Sequence, residues 1–166
     1  MGQDDTKHNL LFISKYPEII HEFTDAMKDR DIEIETAING IEAAAKIKKK
    51  NYDIVITGLS LEGYNGEQII TYLNKTAPST VCIIYTTTIS SAQLHFFINE
   101  RNVFRVFLRP VDFRGAFWEA LEEAYEYHAV QVKNEEDTGA RRQEQEKQER
   151  EIEIMDQRMR SQRQAR

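Results

Sequence analysis

A chain of 166 residues is long enough for one domain with a buried core plus an extension, and too short for two ordinary domains. Forty per cent hydrophobic and 30% charged residues describe an ordinary globular chain, and a formal charge of -6 argues against a general nucleic-acid binder unless a basic patch is local. One cysteine excludes an intrachain disulfide, and no apolar run approaches the ~20 residues of a membrane span, so the expectation is a cytoplasmic protein in a reducing compartment, with no membrane contact.

The polar residues 1–8 predict a disordered N-terminus. From residue 9 to about 133, short apolar runs alternate with amphipathic stretches, the pattern of parallel strands joined by crossover helices. Leu10-Leu11-Phe12-Ile13 is unbroken and suits a strand buried on both faces, whereas Ile32-Glu33-Ile34-Glu35-Thr36-Ala37 alternates and suits an edge. Ile19, Phe23 and Met27 recur at helical spacing after Pro17, which has no amide hydrogen to lose in a first turn. Ile41, Ala44, Ala45 and Lys48 mark a second helix, ended by Lys48-Lys49-Lys50, whose charge suits the negative end of a helix dipole. Ile54-Val55-Ile56 is the third strand. Ile69, Ile70 and Leu73 form a third helix that stops before Pro78, and Val81 to Tyr85 a fourth strand that takes Cys82 into the core as a small hydrophobe. Leu94, Phe97 and Ile98 form a fourth helix behind the capping candidates Ser90 and Ser91, Val106-Phe107-Leu108 a fifth strand, and Phe113 to Ala124 a fifth helix. The fold class is α/β: a flavodoxin-like, doubly wound parallel sheet of five strands, (βα)5, with a charged C-terminal helical extension.

From residue 134 the composition turns to Glu, Gln and Arg, and Asp137-Thr138-Gly139 predicts a break in the helix. Residues 134–166 are therefore a separate tail. Ile152, Met155 and Met159 form a short heptad seam in it, compatible with a coiled coil that dimerises, a solvated helix, or disorder.

In a doubly wound sheet, ligands bind at the carboxyl ends of the strands. Those ends are Ser14-Lys15, Thr57-Gly58, Thr86-Thr87 and Arg109-Pro110. Lys15 and Arg109 put two cations at one crevice, so an anion is one candidate ligand; the plain alternatives are that Thr86 caps a strand, Pro110 shapes a turn and Arg109 pairs with Glu62. His8, His21, His95 and His128 have no ligand spacing, and the chain lacks a Gly-rich phosphate loop and a nucleophile elbow, so no metal, cofactor or catalytic residue is expected and the chain is not expected to be an enzyme.

These strand ends resemble those of bacterial response-regulator receiver domains. Tyr52 to Gly66 is similar to the family's third-strand motif, Thr86 stands where a hydroxyl reads the phosphate, and Arg109-Pro110 stands where the family has lysine and proline, usually joined by a cis peptide. The resemblance implies a two-component phosphorelay signalling module whose partner is a kinase, an effector or a second copy. It also exposes departures. Gly58 occupies the phosphoacceptor position, Ser14 and Lys15 stand where the family has the acidic pair that holds magnesium, and Val106 replaces the aromatic switch. Thr57, Ser60 or Ser14 as a substitute acceptor would lack an activating group.

Two functions follow as expectations. The first is a pseudo-receiver that binds a protein partner without phosphorylation, through the face of the fourth helix, fifth strand and fifth helix, where Leu94, Phe96, Phe97, Phe104, Phe117, Trp118 and Tyr125 are candidate contacts. The second is an anion or small-ligand sensor built on Lys15, Thr86 and Arg109. Conventional phosphotransfer is the third and least supported.

Overall fold

The computed structural model describes residues 8–164. Five strands, β1 (His8–Ile13), β2 (Ile32–Ala37), β3 (Ile54–Thr57), β4 (Val81–Thr86) and β5 (Val103–Leu108), alternate with α1 (Pro17–Met27), α2 (Gly40–Lys49), α3 (Gly66–Thr76), α4 (Ser91–Glu100) and α5 (Ala116–Gln164). The sheet is parallel throughout in the order β2-β1-β3-β4-β5, so the alternating strand β2 is indeed an edge.

Alternate residues of the central strands feed two cores. Leu10, Phe12, Ile54, Ile56 and Ile83 pack with Phe23 and Met27 of α1 and with Phe117 and Leu121 of α5. Leu11, Ile13, Val55, Cys82 and Ile84 pack with Ile47 of α2, Ile70 and Leu73 of α3 and Phe97 of α4. Phe12 and Phe23 stack at 4.2 Å between centroids, and Phe113 and Phe117 meet edge to face at 5.0 Å, so rings fill much of the first core.

Local sequence sets the helix starts. Pro17 occupies the first turn of α1, Asn39 caps α2, and α3 and α4 begin with reciprocal capping boxes, Asn65 with Gln68 and Ser90 with Gln93. Gly66 is required by space: a Cβ there would lie 2.2 Å from the Gly58 carbonyl oxygen, so only glycine lets α3 start directly against the β3 loop.

The chain divides into two units, Met1–Ala129 and Val130–Arg166. Three boundaries differ from the sequence expectations. The N-terminal stretch lies outside the described residues except for His8, which opens β1. Phe113 precedes α5 and packs from the turn into the core. Asp137-Thr138-Gly139 does not end a helix: α5 continues through it to Gln164. One glycine in a helix interior costs about 1 kcal/mol, too little to stop a run of Glu, Gln and Arg, and no proline follows.

Candidate functional site

The last sheet hydrogen bonds hold four strand ends together. The Ser14 amide donates to Ala37 O at 3.1 Å, the Gly58 amide to Ile13 O at 3.1 Å, and the Arg109 amide to Thr86 O at 2.8 Å. They frame a cleft of about 70 Å³ lined by Ser14, Lys15, Tyr16, Gly58, Ser60, Thr86 and Arg109, among others. The strand ends picked out in the sequence thus share one site, and the Arg109–Pro110 peptide is cis.

The two cations define its electrostatics. Lys15 Nζ donates to Ser60 Oγ at 3.2 Å, which ties the β1 end to the β3 loop. Both cations also lie over the Tyr16 ring, Lys15 Nζ at 5.3 Å and Arg109 Cζ at 4.7 Å from its centroid, and Arg109 is 6.0 Å from the centre of Tyr85. Burial pushes the Tyr85 phenol above its usual value, and the charge of Arg109 opposes that. Among the described residues neither cation pairs with a carboxylate, and Glu62 is not a partner of Arg109. The donor set does not fit magnesium, which takes carboxylate and water oxygens; this cleft offers hydroxyls, carbonyls and two positive charges.

The hydroxyls are engaged in structure. Ser14 is buried and its Oγ accepts the Tyr16 amide hydrogen at 3.2 Å, while the fully buried Thr57 donates to Gly58 O at 2.8 Å. Thr86 Oγ1 donates to Thr88 O at 3.4 Å. Among the described residues that line the cleft there is no carboxylate or histidine to serve as their base. A Cβ on Gly58 would meet only the Tyr85 carbonyl oxygen, at 3.7 Å, so glycine here is not demanded by packing. Val106 is half-buried against the second core.

The candidate contact residues separate by burial. Phe97, Phe117 and Tyr125 are 3%, 0% and 7% exposed and belong to the cores, so they are not available to a partner. Their helical spacing marked an apolar face without telling which side the sheet would cover. Trp118 lies under Arg30, 4.2 Å from the guanidinium carbon, at the turn between α1 and β2 and not beside α4. Phe104 pairs with Tyr127 at 5.1 Å. On α4 and β5, Leu94, Ile98 and Leu108 are exposed, at 40%, 41% and 50%.

At the opposite end of the sheet, the fold assembles a group that spacing did not reveal. Asp53, just before β3, receives His128 Nε2 at 3.1 Å, His8 Nδ1 at 3.6 Å and the Asn9 amide at 3.3 Å. Tyr125 donates to Asn9 O at 3.0 Å and stacks on His8 at 4.3 Å.

The parallel sheet with its cleft at the strand ends defines a doubly wound α/β domain. Residues 11–115 match the response regulator receiver domain, and the chain belongs to that family, whose members are modules of two-component systems. Comparison with curated proteins found no match. Among solved structures, the chain is similar to the signal receiver domain of an HD domain-containing protein from Pseudomonas fluorescens Pf-5, at 19% identity and a TM-score of 0.70, over 75% of this chain and 98% of that one. A CheY-like response regulator receiver domain from Methanospirillum hungatei JF-1 matches at 18% identity and a TM-score of 0.68, over 75% and 99%. The adenylate cyclase structure from Rhodopirellula baltica matches at 19% identity and a TM-score of 0.73, over 80% and 98%. These likenesses concern the fold. Among the described residues no helix is long and apolar enough to cross a membrane.

Proposed function

We propose that this receiver domain acts in the cytoplasm by binding a protein partner, a signalling kinase or an effector, without accepting a phosphoryl group. One observation carries the reading: the cleft where a receiver would hold its acceptor carboxylate and metal contains Gly58 and two cations, and none of the described residues lining it is a carboxylate. With no nucleophile there is no acyl phosphate to form, and with no acidic pair a cation such as Lys15 can occupy the metal's place and bond to Ser60. The small, half-buried Val106 has no ring to swing between two positions, so the outward apolar residues Leu94, Ile98 and Leu108 present one constant surface.

The test is incubation with acetyl phosphate and magnesium followed by intact mass measurement. No added phosphoryl mass is expected; stoichiometric phosphorylation overturns the reading. A second reading is favoured because, among the described residues, Lys15 and Arg109 have no carboxylate partner: the cleft holds a small oxyanion. Sulfate or phosphate then raises the melting temperature of the native chain by mass action, and Lys15→Ala and Arg109→Ala each reduce that rise. An equal rise in both variants refutes an anion site in this cleft.

A further inference from the structure

Between residues 133 and 163 every residue of α5 is exposed, yet its polar and charged residues are not distributed evenly around the helix. Because the helix is unbroken at Asp137–Gly139, the spacing of Ile152, Met155 and Met159 can be traced backwards and forwards without a change of register. At alternating steps of three and four it selects ten positions from Gln131 to Gln162: besides those three they are glutamines, Asn134, Thr138 and Arg141. Only Arg141 among the ten is charged, against fifteen of the other twenty-two residues in that interval.

A repeat of 3.5 residues drifts around a straight helix by ~20° per heptad, so a lone helix gains nothing from keeping it; it stays on one side only when two helices wind around each other. The seam is mostly polar, which a long-lived buried core would not tolerate. Glutamine side chains, however, both donate and accept, and their methylene stems and that of Arg141 can cover Ile152, Met155 and Met159. A second copy is the occupant that brings a seam of the same length and period.

The flanking charges choose the orientation. In a parallel pair, Glu144 meets Glu149, Glu151 meets Asp156 and Arg158 meets Arg163 of the other copy, with only Asp137 and Arg142 well matched. Reversing one helix about Arg150 pairs Glu135 with Arg163, Arg142 with Asp156 and Glu144 with Arg158, each twice by symmetry. Only Glu149 and Glu151 then meet their own kind. We propose that two copies of this chain associate through residues 131–162 as an antiparallel two-stranded coiled coil. The association does not depend on how the cleft at the strand ends is used.

Sedimentation equilibrium of the full chain is expected to show a monomer–dimer equilibrium. Arg163→Glu puts like charges at two symmetric pairs and raises the dissociation constant about tenfold, and the double swap Glu135→Arg with Arg163→Glu restores it. A parallel pair gives the opposite sign, because the introduced carboxylate would then face Arg158. Orientation is read independently by oxidative cross-linking: Thr138→Cys and Gln162→Cys chains, mixed, form the mixed disulfide. Neither forms one with itself, since in the reversed arrangement two Thr138 positions lie about 36 Å apart. The native Cys82 is buried and does not compete. A monomer at every concentration, tighter association of Arg163→Glu, or self-cross-linking of Thr138→Cys overturns the proposal.

Discussion

His128 and Asp53 meet at 3.1 Å through Nε2 and Oδ1, while the other ring nitrogen of His128 lies 2.9 Å from the carbonyl oxygen of Ser79. Both neighbours are acceptors, so both contacts are made at once only when both nitrogens carry hydrogen and the ring is an imidazolium. The pair therefore joins α5 to the residues that precede β3 and β4, and it needs one group ionised and the other protonated.

The Asp53 carboxyl gives the sign of the acid response. Burial raises its pKa, but the hydrogen bond and charge of His128, the Asn9 amide and His8 outweigh that and hold it below the usual carboxylate value. A group depressed in the folded state contributes its full stability above the ordinary carboxylate range and loses it as pH falls through the lowered value. Urea melts across pH should show wild-type stability falling toward acid, with Asp53→Asn about 1–3 kcal/mol less stable near neutrality and with a shallower acid limb. An unchanged acid limb in Asp53→Asn would show that other carboxylates govern it.

Two glycines eight residues apart should respond in opposite ways. Gly58→Asp has room for its Cβ and sets a carboxylate beside Lys15 and Arg109, so the variant folds with a melting temperature near or above that of the wild type. If the proposed function holds, it still takes up no phosphoryl group from acetyl phosphate, since Ser14 and Lys15 offer magnesium no carboxylate. Gly66→Ala forces a methyl group to 2.2 Å from Gly58 O and costs more than about 2 kcal/mol by denaturant melts.

Phe117 and Leu108 separate core from surface. Phe117→Ala leaves a cavity among Phe23, Phe113 and Tyr85 and should cost about 3–5 kcal/mol. Leu108→Asp changes a side chain that is half exposed and should stay within about 0.5 kcal/mol of wild type. If Leu108→Asp proves as damaging as Phe117→Ala, that end of β5 is not an open surface.

Cys82 offers a chemical check on the second core. It is buried between α-helical and strand residues, and burial pushes its thiol up to about 12, far from the thiolate form that reacts. A thiol reagent at neutral pH should label the native chain only at the rate of unfolding, and label it at once in denaturant. Fast native labelling would mean that the face covered by α2, α3 and α4 opens readily.

How much of this was legible in the residues follows from what kind of information each feature needs. Strand and helix order, β2 as the edge, the capping position Ser90, and the grouping of Ser14, Lys15, Gly58, Thr86 and Arg109 at one end of the sheet all come from local sequence signals joined to one rule of parallel topology. Tertiary structure alone decided the rest. An apolar stripe on α5 does not tell whether Phe117, Trp118 or Tyr125 turns inward, because helix rotation is set by the sheet it packs on; the sheet took Phe117 and Tyr125 and left Trp118 to Arg30. His8, Asp53 and His128 have no spacing in common, since only the closing of β1 against β3 and the docking of α5 bring them within reach. The Asp137–Gly139 stretch carries a turn-like signal that is purely local, and the helical preference of the residues on both sides outweighs it. By itself the sequence determined a parallel α/β receiver fold and which residues stand at its strand ends; which aromatic residues are core, and which charges meet across the fold, depended on distances between residues far apart in the chain.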